Sequence, residues 1–159
     1  MVLPADIKNH IVEFTPLITL CDYSGALPLL TKYANKLGCD NWTKLCKHEW
    51  ALPLLTANFN SLSDRNKSSL CQYKWALPLL TDNADKLNYV SLSILCNYEW
   101  ALPLLTDNAY KLCCSHWIKI CQREWALPLI TANIDRLNYE HWMILSGREW
   151  ALSLTKRYA

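Results

Sequence analysis

The heptapeptide WALPLLT begins at Trp50, Trp75 and Trp100, returns as WALPLIT at Trp125 and GALPLLT at Gly25, and decays to WALSLTK at Trp150. The starts fall at intervals of 25 residues. Self-similarity at a fixed period of about 20 to 50 residues marks a stacked repeat, in which each unit buries its apolar face only against its neighbours. The period divides the chain into an N-terminal half-repeat or cap over 1–24, repeats over 25–49, 50–74, 75–99, 100–124 and 125–149, and a C-terminal cap over 150–159. These are expected to form one repeat domain.

With the Trp counted as position 1, apolar residues recur at positions 2, 3, 6, 10 and 13, as in Ala76, Leu77, Leu80, Ala84 and Leu87. Spacings of three and four describe one face of a helix. Positions 8, 11 and 12 supply the polar face, as in Asp82, Asp85 and Lys86. The position-4 proline (Pro28, Pro53, Pro78, Pro103, Pro128) is expected in the first turn, where its missing N–H breaks no intrahelical bond. Position 14 holds Gly38, Ser63, Asn88, Cys113 or Asn138 and is read as the end of this helix, because Gly and Asn suit a left-handed closing residue.

A second, shorter helix is expected over positions 17–24, started by Asn41, Asn66 or Ser91 as N-caps and buried through positions 18, 21 and 22. A leucine-rich repeat with a strand in each unit would place the proline in mid-strand, where it cannot donate to the ladder. It would also bury the polar residues of position 11, such as Asn35, Asn60 and Asp85. The expected fold is all-α: a right-handed α-solenoid of about five and a half two-helix repeats.

Of eight cysteines, Cys21, Cys46, Cys71, Cys96 and Cys121 share one repeat position, with Ser146 in the sixth place. Stacked helices lie roughly 8–10 Å apart, whereas a disulfide needs Cα atoms within about 7 Å. The cysteines are therefore expected to be reduced, buried packing residues. Hydrophobic residues make up 52% of the chain, which excludes a disordered composition. A net charge of +2 gives little reason to expect nucleic acid or an anionic membrane as partner. No apolar run approaches the roughly 18 residues of a spanning helix, and MVLPADIKNH lacks the basic region and long apolar core of a secretion signal. An intracellular, cytoplasmic location is expected.

The assembled unit reads W-x-x-L-S/C, then A-L-P-L-L-T-x-N-x-x-x-L, clearest in Trp142 to Ser146 and Ala126 to Leu137. It resembles the tandem short helical repeats of large DNA virus proteomes, roughly L-S-x-N-P-x-A-I-x-L-L-x-x-N-x-x-x-I-x-W. Here the proline follows the alanine, and the unit is two or three residues longer. The unit is also similar to leucine-rich variant repeats, built of alternating α- and 3₁₀-helices. The resemblance implies a helical repeat and extends the expected location to a virion or host cytoplasm; it carries no catalytic residue onto this chain.

Chemistry-bearing clusters are few. Cys113-Cys114-Ser115-His116 lacks the second ligand pair that a tetrahedral metal site needs. Cys46 and His48, two apart on a helix, point to different faces. With only Gly25, Gly38 and Gly147, there is no glycine-rich phosphate loop. No enzyme activity and no cofactor are expected. Position 12 carries Lys36, Lys86, Lys111 and Arg136, with Ser61 as a gap, and position 25 carries Glu49, Glu99, Glu124 and Glu149, broken by Lys74. Stacking would draw these into a basic and an acidic ribbon, the candidate interaction surface of a protein-interaction or structural scaffold. The alternative is a regulatory module that binds nucleic acid through the Lys/Arg ribbon.

The repeat from Trp50 departs most: Ser63 to Ser69 is fully polar and puts Lys67 where other units have Trp or Leu, so loose packing is expected there. The C-terminal run Trp150 to Arg157 reads as a polar cap. At the other end Ile7, Ile11, Val12 and Phe14 keep an apolar density without the motif. Ile11 and Phe14 are accordingly the candidates for self-association or for docking an as yet unknown protein.

Overall fold

The structure, a computed structural model, describes residues 16–158. The described residues form an all-α repeat of solenoid type, with no strand among them. Contacts divide the chain after Leu79 into two compact units. The first contains α1 (Leu17–Leu20), α2 (Leu27–Lys32), α3 (Cys39–Leu45), α4 (Leu52–Ala57) and α5 (Asp64–Leu70). After α6 (Leu77–Asp82), which spans the division, the second contains α7 (Tyr89–Leu95), α8 (Leu102–Asp107), α9 (Cys114–Ile120), α10 (Leu127–Ala132), α11 (Tyr139–Ser146) and α12 (Leu152–Tyr158). Within the first unit α3 packs on α1 and on α5; within the second α9 packs on α7 and α11, α8 on α10, and α11 on α12.

Each repeat alternates α and 3₁₀ segments where one longer helix is expected. A 3₁₀ turn covers positions 25 to 2 (Glu99–Ala101), an α-helix positions 3 to 8 (Leu102–Asp107), a second 3₁₀ turn positions 10 to 12 (Ala109–Lys111), and the second α-helix starts at position 15 (Cys114). The heptapeptide and the asparagine two residues after it specify this sequence of turns. Its proline enters the first helical turn, as expected. The position-7 threonine satisfies the carbonyl four residues back, as in Thr106 Oγ1 to Leu102 O at 2.8 Å. The position-9 asparagine stops the helix. Asn108 leaves helical geometry at φ −112°, ψ 21°, and its side-chain amide donates to Leu104 O at 2.9 Å, joining its own backbone N–H at 3.2 Å on the same carbonyl.

The 3₁₀ turn also moves the buried stripe. Alanine at position 2 and leucines at positions 5 and 6 are enclosed, as in Ala101, Leu104 and Leu105 at 0%, 1% and 0% exposure. Leucine at position 3, read from the sequence as part of the stripe, lies at its margin, and Leu152 is 44% exposed. The cysteine ladder is buried as expected: Cys21, Cys46, Cys71, Cys96 and Cys121 are free thiols at 0% exposure. Burial alone pushes the Cys121 thiol up to about 12, and burial is also the main reason that Cys46 and Cys96 reach about 12.

Position 14 corrects the sequence reading of the second helix. No described residue has positive φ, so the first helix has no left-handed closure. Position 14 is extended and is the N-cap of the second helix: Ser63, Asn88 and Asn138 side chains accept from the N–H groups of Asn66, Ser91 and His141 at 3.2, 2.9 and 3.1 Å. Ser and Asn serve N-caps as readily as Asn serves a left-handed terminus. The second helix accordingly covers positions 15–21 in most units, two residues earlier than expected, and Asn41, Asn66 and Ser91 fall in its first turn. The helix of the Trp50 repeat, expected to pack loosely, is tied to its neighbour. Asn66, 1% exposed, donates to Thr43 Oγ1 at 2.9 Å and to Cys39 O at 3.5 Å, while Leu70 is fully enclosed.

Candidate interaction surface and the ties between repeats

Three repeat positions carry polar side chains from one repeat to the backbone of the repeat before it. Position 20 does so in both halves: Lys44 Nζ donates to Ile18 O at 3.2 Å, and Lys119 Nζ to Ser93 O at 3.2 Å and Ser93 Oγ at 2.7 Å. Lys44 also pairs with Asp22 at 2.8 Å, and this bond holds the Asp22 carboxyl below the usual carboxylate range.

Position 17 gives the second tie, through Asn66 in the first unit and two histidines in the other. His116 and His141 are each 1% exposed. Their Nδ1 atoms accept the N–H of Cys113 at 3.1 Å and of Asn138 at 3.0 Å, closing capping boxes from the third helical residue. That leaves the proton on Nε2, which donates to Tyr89 O from His116 and to Cys114 O from His141, both at 3.1 Å. Burial depresses the His116 pKa, with the Lys119 charge adding to the effect, although the Tyr89 carbonyl partly offsets it.

Position 12 gives the third tie and bears on the expected basic ribbon. Lys111 Nζ donates to Ala84 O at 2.9 Å, and the Arg136 guanidinium donates to Ala109 O and, at 3.3 Å, to Tyr110 O. These two cations are bound to the preceding repeat. Lys36 and Lys86 are exposed; Lys36 Nζ lies 5.2 Å from the Tyr33 ring centre and Lys86 Nζ donates to Asn83 Oδ1 at 2.9 Å. Glu49, Glu99, Glu124 and Glu149 are all exposed. Ile11 and Phe14 lie outside the described residues.

Beside the glutamates stands an aromatic feature that the sequence reading passed over. The position-1 tryptophans are half-buried, and position 24 stacks on them: His48 on Trp50, Tyr73 on Trp75 and Tyr98 on Trp100, with ring centres 5.4, 5.7 and 5.3 Å apart. The legible signal was an aromatic two residues before each of these tryptophans, where backbone extended at position 24 brings the rings together.

The reactive-looking clusters resolve into packing and capping. Cys113 Sγ lies 3.3 Å from both Ser115 Oγ and His116 Nδ1, at the N-cap of α9. Desolvation raises its pKa, but hydrogen bonds from Ser115 and neighbouring amides outweigh this and the net shift is downward. Cys114 Sγ lies 3.5 Å from His141 Nε2, whose proton is directed to the Cys114 carbonyl. Among the described residues no group of three or more His, Cys, Asp or Glu is placed to hold a metal ion. Cys46 is enclosed while His48 stacks on Trp50 and faces Asp22 at 3.7 Å, so the two act separately. Among the described residues no helix is long and apolar enough to cross a membrane. No family model, curated protein or solved structure matches the chain.

Proposed function

We propose that the protein is a non-enzymatic interaction or scaffold module that presents the Trp/Glu face of its repeats to a protein partner. One observation carries this reading. The half-buried tryptophans, three of them stacked on an aromatic neighbour, each follow an exposed charged residue, Lys74 before Trp75 and a glutamate before Trp50, Trp100, Trp125 and Trp150, whereas the buried histidines and ladder cysteines are engaged in holding repeats together. Aromatic anchors, Trp and Tyr foremost, are frequent energetic centres of protein interfaces. A nucleic-acid role through the Lys/Arg ribbon has less support, because Lys111 and Arg136 are committed to carbonyl groups of the preceding repeat. The likeness of the motif to large DNA virus repeats is the ground for seeking the partner in a virion or an infected cell. Association through Ile11 and Phe14 is a second route to assembly, resting on the apolar sequence of that end.

The test is affinity capture from the native source with wild-type protein and with a folded Trp100→Ala, Glu99→Lys, Glu124→Lys variant. The proposal expects a defined protein to be retained by the wild type and lost by the variant. Equal capture by both, or retention of nucleic acid that falls steeply with salt, would contradict it.

A further inference from the structure

Position 12 is Lys or Arg in every full repeat except the one from Trp50, where it is Ser61. In the second unit two of the three position-12 cations perform the same task, while Lys86 donates to Asn83 Oδ1 within its own repeat. Lys111 donates to Ala84 O and Arg136 to Ala109 O, each the position-10 carbonyl of the repeat before. Both carbonyls already accept a 3₁₀ bond, from Leu87 N at 3.3 Å and Leu112 N at 3.1 Å. A carbonyl oxygen has two lone pairs, and the cation takes the second.

The first unit offers the same acceptor without the donor. Ala34 O accepts from Leu37 N at 3.2 Å, and the hydroxyl of Ser61 stands one carbon from its backbone. Among the described residues Ala34 O receives no side-chain donor. A cleft of about 570 Å³ opens at this point, with Ala34 and Ser61 both lining it. Leu37 and Trp42, 8% and 6% exposed, line it together with Asn35 and Asn58.

We propose that this cleft binds an alkylammonium or alkylguanidinium group, which takes the place that the repeat's own cation occupies in the second unit. The carbonyl of Ala34 and the side-chain oxygens of Ser61 and Asn35 are acceptors for its N–H groups, while Leu37 and the Trp42 indole receive the alkyl stem and offer an aromatic face to the charge. The weak hydration of guanidinium suits a site built of neutral oxygens. Lys32 also lines the cleft, with Nζ 5.4 Å from the Tyr33 ring centre, and its charge opposes a second cation.

The experiment titrates the intact protein with n-butylammonium, propylguanidinium and neutral n-pentanol, following the Trp42 indole N–H and the Asn58 side-chain amide by NMR. Saturable shifts are expected for both cations, several-fold weaker for pentanol and several-fold tighter in Lys32→Gln. Ser61→Arg, which supplies the cation from the chain itself, is expected to abolish these shifts and raise Tm, and Ser61→Lys gives the same readout should the arginine variant fail to fold. A pentanol response equal to that of the cations, or undiminished binding in both Ser61 variants, overturns the proposal. A second arm compares the peptide acetyl-Ala-Arg-Ala-amide with spermidine. Tighter binding of the peptide assigns the site to a partner's arginine, tighter binding of spermidine assigns it to polyamines, and binding of neither overturns it.

Discussion

Leu80 and Lys86 sit six positions apart in one repeat and illustrate how unequal its residues are. Leu80 is fully enclosed, so Leu80→Ala is expected to destabilise by about 2–5 kcal/mol, the cost of lost burial plus a cavity. Lys86 is exposed, and Lys86→Ala is expected to stay within about 0.5 kcal/mol. Lys111 occupies the same repeat position as Lys86, but its ammonium caps the Ala84 carbonyl; Lys111→Ala is expected to cost about 1 kcal/mol. Denaturant midpoints of the three variants check the order, and equal midpoints for Lys86→Ala and Lys111→Ala would remove the tie. The ladder cysteines and the position-6 leucines were legible because apolar residues at a fixed period have one use in a stack. The division of labour within position 12 was not, since a lysine that reaches a neighbouring carbonyl and one that meets water are the same letter.

At the scale of the element, periodicity located the helices and misplaced their ends. The position-14 residues Gly, Ser and Asn serve either terminus, and the backbone chose the N-cap. The break between Asn108 and Ala109 was hidden because a 3₁₀ turn keeps the spacing of three that an α-helix also shows. His116, at the repeat position expected to start the second helix, is instead the third residue of α9 and a bridge to Tyr89. That role makes the helix sensitive to acid. The folded pKa of His116 lies below the unfolded value of about 6.5, so the unfolded chain takes up the proton first. The stability linked to this group is complete above about pH 6.5 and is lost as pH falls through the folded pKa. On protonation Nδ1 becomes a donor facing the Cys113 N–H, while the Cys113 thiol at 3.3 Å and the Lys119 ammonium offer the new charge no carboxylate. His116→Asn, which copies the residue used in the first unit, is expected to flatten the dependence of the denaturant midpoint between pH 7.5 and pH 5. A variant whose pH profile superimposes on the wild type would show that the imidazole does not titrate with folding.

For the whole molecule, the period of 25 residues decides which side chains are interior, and each unit repeats the same solution: a leucine and alanine stripe, a cysteine rung, and polar arms laid on the carbonyl groups of the repeat before. In α12 Leu154 is buried while Lys156 and Arg157 are exposed. The cysteine ladder is packing, and the three cysteines outside it are surface residues. Timed alkylation of the thiols at pH 8, read site by site by mass spectrometry with and without denaturant, tests this directly. Rapid modification is expected of Cys39, Cys113 and Cys114 in the native protein, with Cys21, Cys46, Cys71, Cys96 and Cys121 protected until the chain is unfolded. Modification of Cys71 and Cys96 in the native protein as fast as that of Cys39 would contradict it.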